Sequence, residues 1–114
     1  MSEFERRKQG FERLFALSES LRFQAQSRRN RAVGVWAADK LGLGAEAAER
    51  YVEAFTKAQV DGASDEALVE RLRGEFARAG LDLSAHRIRR RFEAALAEAI
   101  TAIEGGGDAP QGRQ

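Results

Sequence analysis

The sequence predicts an all-α protein: a four-helix up-and-down bundle with a long first helix and a mobile N-terminal arm. Three observations carry that expectation. Ala, Glu, Arg and Leu dominate the 114 residues, and the single proline, Pro110, lies in the tail. Glycines at 42, 62, 80 and 105–107 punctuate stretches whose apolar residues recur every three or four positions. No stretch shows the alternation of apolar and polar residues expected of a half-buried strand.

Length makes this one domain, able to bury a core without staples. With no Cys, disulfide and thiolate chemistry are excluded, and a reducing cytoplasm suits the chain. After Met1 there is no apolar run; Glu3, Glu5 and Glu12 interleave with Arg6, Arg7, Lys8 and Arg13. That pattern is neither a secretory signal nor an acid-poor transit peptide. No apolar stretch approaches the roughly 20 residues needed to span a bilayer, so a soluble protein without direct membrane insertion is expected. The net charge of +1 gives no general pull toward nucleic acid. Its distribution is uneven: residues 1–44 carry 9 basic and 5 acidic side chains, residues 45–114 carry 10 and 13. A basic front half can dock on an acidic partner or can equally be a solvated helix face.

The first helix is expected over 11–41, with a start further upstream left open. Its stretch 27–44, SRRNRAVGVWAADKLGLG, anchors the fold. Ala32, Val33, Trp36, Ala37 and Leu41 make one apolar side, with Trp36 expected in the core. Gly34 and Ala38, one turn apart, let another backbone approach, and Leu41-Gly42 is a helix stop. The second helix covers 45–60, buries Tyr51, Val52, Phe55 and Ala58, and ends at Asp61-Gly62. Ser64 caps the third, which buries Leu68, Val69, Leu72 and Phe76 and stops at Gly80. Ser84 caps the fourth, where Leu83 and Ile88 occupy the positions of a hydrophobic staple. Its inner stripe is Ile88, Phe92, Ala95, Leu96, Ala99, Ile100 and Ile103. The division is an arm at 1–17, a bundle at 18–104 and a disordered tail at 105–114.

A length mismatch carries the functional reading. The second and third helices span roughly 24 Å each at 1.5 Å per residue, whereas a continuous first helix would span roughly 46 Å. Its partners cannot cover it, so the end bearing Phe4, Phe11, Leu14 and Phe15 is expected to project. An uncovered amphipathic arm resembles a helix-in-groove ligand awaiting its groove. The alternative is that the arm folds back, or that Phe11 and Phe15 extend the core.

Catalysis has little to work with. His86, the only imidazole, falls in a first helical turn where exposure is normal, and one His without Cys makes a zinc site improbable. Carboxylates stand at helix-surface spacings beside arginines, and no Gly-rich loop follows a strand. No enzyme activity and no cofactor are expected. Two arginine clusters remain: Arg28, Arg29 and Arg31, and Arg87, Arg89, Arg90 and Arg91. The second crowds the start of a helix, where the macrodipole disfavours cations. It either pairs with the acidic second and third helices or binds an anion such as a nucleotide phosphate. The anion candidates are Arg28, Arg29, Arg87 and Arg90, and weak nucleotide binding follows if they converge.

Phe23, Ala25, Arg28-Arg29-Asn30, Gly34 and Trp36-Ala37-Ala38 through Leu41-Gly42 resemble the signature of the ATPase inhibitor subunit zeta family of alphaproteobacterial ATP synthases. The likeness runs from about residue 4 to residue 103. It implies a helical bundle whose N-terminal segment enters a catalytic interface of the F-type ATP synthase head and blocks ATP hydrolysis. By that likeness the partner is the catalytic head, and Phe4, Arg6, Arg7, Phe11, Arg13, Leu14 and Phe15 meet it. The place implied is the cytoplasm, peripheral to the inner membrane through the synthase. The chain departs from the family pattern at 14–18: the pattern has a Lys or Arg, an aromatic and then Ala-His-Asp, and here stand Leu14-Phe15-Ala16-Leu17-Ser18. With no histidine in the arm and His86 expected far from it, regulation by pH through the arm is not expected. The alternative function is a non-inhibitory accessory or anion-binding bundle of the same family.

Overall fold

A computed structural model describes residues 2–106 and contains five α-helices: α1 (Glu3–Phe15), α2 (Glu19–Lys40), α3 (Ala45–Val60), α4 (Asp65–Arg78) and α5 (Ala85–Glu104). No strand occurs among the described residues. Residues 107–114 of the expected tail lie outside them. The expected long first helix is two helices, so the count is five rather than four. Ser18 makes the break. Its backbone is extended (φ −62°, ψ 162°), and its hydroxyl accepts the Leu21 N–H at 3.3 Å. Glu19 then supplies the acid that favours a first turn. The stretch 11–41 reads as unbroken because neither Gly nor Pro marks the interruption.

α2 packs against both α3 and α5, and α4 packs on α5. The apolar stripes meet as expected: Val33 and Ala37 of α2, Phe55 of α3, Leu68, Leu72 and Phe76 of α4, and Ile88 and Phe92 of α5 share one core. Ser64 and Ser84 cap α4 and α5 by accepting the N–H of Ala67 and Arg87, each at 3.1 Å. Gly42 and Gly80 end α2 and α4 at φ 71° and 81°, a region that L side chains rarely enter. Trp36 departs from expectation. It is half-buried, setting its ring edge-on to Phe76 at 5.5 Å, while its other side faces a groove between α2 and α5.

At Gly34 the backbone of α2 lies close against α3. A Cβ placed there would lie 3.4 Å from Phe55 Cδ2 and 3.6 Å from Val52 Cα. Alanine just fits, and helix propensity favours it by roughly 1 kcal/mol, whereas a branched side chain would push into Val52. Gly34→Ala should therefore keep or raise the denaturant midpoint and Gly34→Ile should lower it sharply. Equal midpoints for the two variants would contradict this packing.

Tyr51 bridges α3 to α4 by donating its hydroxyl to Glu75, which also accepts from Arg71 Nε at 3.2 Å. Burial first, and then the bond to Glu75, hold the Tyr51 phenol above its ordinary range. The folded state thus favours the neutral phenol. That contribution is complete below the unfolded value of about 10 and is lost as pH rises through the folded value. Because Tyr51 is the only tyrosine, absorbance reports it alone. The folded chain should show no phenolate at about pH 10, where a free tyrosine is half ionised. An ordinary titration curve in the folded chain would contradict the burial.

Candidate partner-binding site

The helix expected to project instead lies on the body of the protein. Ser2 and Glu5 form a capping box that starts α1 at Glu3. Gly10 is helical and faces α5, where a Cβ would meet Leu96 Cδ2 at 3.7 Å. Leu14 is 6% exposed, in a small cluster with Ala25 of α2 and Ile100 of α5, flanked by Leu17, Leu96 and Ile103. Arg13 Nη2 donates to Glu104 at 3.0 Å and to Thr101 at 3.2 Å. The length mismatch leaves no projecting arm because, once the chain turns at 16–18, α1 packs along α5. The alternative of an arm that folds back is the one found.

The neighbouring face of α1 carries a strip of uncovered rings. Phe4, Phe11 and Phe15 are 69%, 60% and 56% exposed. Their spacing of seven and four residues places them on one side of the helix. Phe11 and Phe15 tilt against each other at 4.6 Å, and the Arg22 guanidinium lies 5.0 Å over the Phe15 ring. Leu14 therefore separates from the other three apolar candidates: it packs, and they are presented. Phe23 of α2 is also 61% exposed. Its place outside the apolar stripe of α2 was the available signal.

The basic candidates divide likewise. Arg6 and Arg7 face Glu93 of α5, with Nε to carboxylate oxygens at 3.6 and 3.9 Å. The anion candidates do not converge. Arg29 is buried, with Nη1 and Nη2 on Asp65 at 3.1 and 2.9 Å, Nε on Asn30 at 3.0 Å, and its guanidinium 5.4 Å over Phe92. It fastens α2 to the first turn of α4 and presents no face to a phosphate. Arg28 lines the open α2–α5 groove of about 800 Å³ with Trp36 and Arg91. Arg90 lies beside α1, and Arg87 is exposed in the first turn of α5. Structural pairing explains part of the α5 cluster: Arg89 holds Glu66 through two bonds of 2.9 and 3.0 Å, which lowers the Glu66 carboxyl from its ordinary value. His86 corrects a further expectation, since its Nδ1 stands 2.6 Å from Glu3 Oε1 in the first turn of α1.

Among the described residues no group of three or more His, Asp or Glu could hold a metal ion, and no helix is long and apolar enough to cross a membrane. The fold is a small all-α protein with three exposed rings on α1. The sequence profile of the family described as ATPase inhibitor subunit zeta matches residues 1–102, and the chain belongs to that family. Among curated proteins, none matches it. Membership supports a general role as an ATP synthase inhibitor.

Proposed function

We propose that this chain inhibits ATP hydrolysis by the F-type ATP synthase by presenting α1 to a catalytic interface of the head, with residues 1–17 as the inhibitory arm. The observation that carries this reading is the strip of Phe4, Phe11 and Phe15, exposed on a helix whose other face is packed. Monomeric proteins rarely leave such a contiguous apolar strip uncovered without a partner for it. Amphipathic helices of this kind enter grooves through anchors three, four and seven residues apart. Arg6, Arg7 and Arg13, which lie against Glu93 and Glu104 of α5 in the free chain, supply charge for acidic residues of the head. The chain need make or break no bond, because a wedge between moving subunits suffices.

Family membership supports the target, and the geometry of α1 supports the route. Adding the intact chain to the purified synthase head should slow ATP hydrolysis in a saturable way. Unchanged hydrolysis at every concentration would leave the accessory-bundle reading in its place.

A further inference from the structure

Glu93 of α5 lies beneath α1 with its side chain only 15% exposed, and both carboxylate oxygens are buried and accept no hydrogen bond. A carboxylate so placed is costly unless opposite charge stands close by. That charge comes from α1, where Arg6 and Arg7 approach the two oxygens at 3.6 and 3.9 Å. In the contacts of Arg13 with Glu104 and of His86 with Glu3 the carboxylate side chain is more open to water than Glu93 is. Glu104 is 51% and Glu3 22% exposed, against 15% for Glu93, while Arg6 and Arg7 themselves are 32% and 54% exposed. Exposed pairs are screened and contribute little. Apolar contact adds chiefly Leu14.

We propose that Glu93 is a latch that stores α1 on α5, and that an acidic partner surface releases the helix by taking over Arg6 and Arg7. Release lets water reach the Glu93 oxygens, which offsets part of the lost contact. It also frees Leu14 to join Phe11 and Phe15 as a binding anchor. The chain then has a closed state, with its arginines held, and an open state in which arginines and rings serve the partner together. The consequence for inhibition rests on the reading of α1 as the inhibitory arm, but the latch is a property of the free chain.

The test is hydrogen exchange of the α1 backbone amides in the full-length free chain. Glu93→Lys sets three cations together and should speed α1 exchange by about tenfold or more, the scale of a lost charged contact. Adding Arg6→Glu and Arg7→Glu to that variant restores opposite charges and should return α1 to wild-type protection. Glu98→Lys, on the same helix but paired with Arg91, should leave α1 unchanged. Wild-type exchange in Glu93→Lys, or loosening that the charge swap does not repair, overturns the latch. Inhibition of the head is measured separately: if no variant inhibits, the inhibitory reading fails while the exchange data still decide the latch.

Discussion

Phe55→Ala is expected to unfold, or nearly unfold, the body formed by α2 to α5. Phe55 is fully buried where α3 meets α2, lies against the Gly34 backbone, and sets its ring 6.4 Å from both Tyr51 and Phe92. Emptying such a site costs roughly 3–5 kcal/mol. The whole stability of a domain is roughly 5–15 kcal/mol, so the loss is a large share of it. A denaturant melt checks this directly, and a wild-type midpoint in the variant would remove Phe55 from the core. Trp36→Ala should cost less, because one side of the indole already faces the α2–α5 groove. The sequence alone points the other way, since a lone Trp at helical spacing is the obvious core candidate.

Trp36 illustrates what periodicity can and cannot read. Spacing identifies the inward side of a helix, and the stripes of α3, α4 and α5 followed it closely: Val52, Phe55, Leu72, Phe76, Ile88 and Ile100 are all buried. How deep a side chain lies depends on which neighbouring helix covers it, and spacing does not record that. Arg29 and Asn30 show the same limit, since both are buried in a run of polar residues. Only the position of Asp65 in space explains why a guanidinium can be there.

Helix ends were legible where a glycine or a serine after a glycine marked them, at Gly42, Ser64, Gly80 and Ser84. The break at Ser18 was not, because its only signal is the Ser-Glu pair in an otherwise helical run. That one missed cap produced the projecting arm. It also hid the contacts of α1 with Glu93, His86 and Ile100, which join residues about 80–90 positions apart, a separation at which local pattern carries no information. The sequence marks Phe4, Phe11, Leu14 and Phe15 as uncovered; the three rings are exposed although the helix bearing them is docked, and Leu14 is buried. Leu14 was grouped with them because four-residue spacing cannot tell the packed edge of a narrow stripe from the presented one.

Removing residues 1–17 would therefore mix two effects, since it takes away Leu14 and Leu17 along with the rings. Phe11→Ala with Phe15→Ala separates them. Both rings are more than half exposed, so little buried surface is lost from the free chain. In a partner's groove each would be an anchor worth about 2 kcal/mol or more, and a loss of that size weakens binding by about thirtyfold. The measurement that tests the central claim is ATP hydrolysis by the purified synthase head, titrated with the wild-type chain and with this double variant, alongside melts of both. Inhibition by the wild type, lost in the variant at an unchanged melting temperature, is the result expected from α1 as the inhibitory arm. A double variant that inhibits as strongly as the wild type would contradict it.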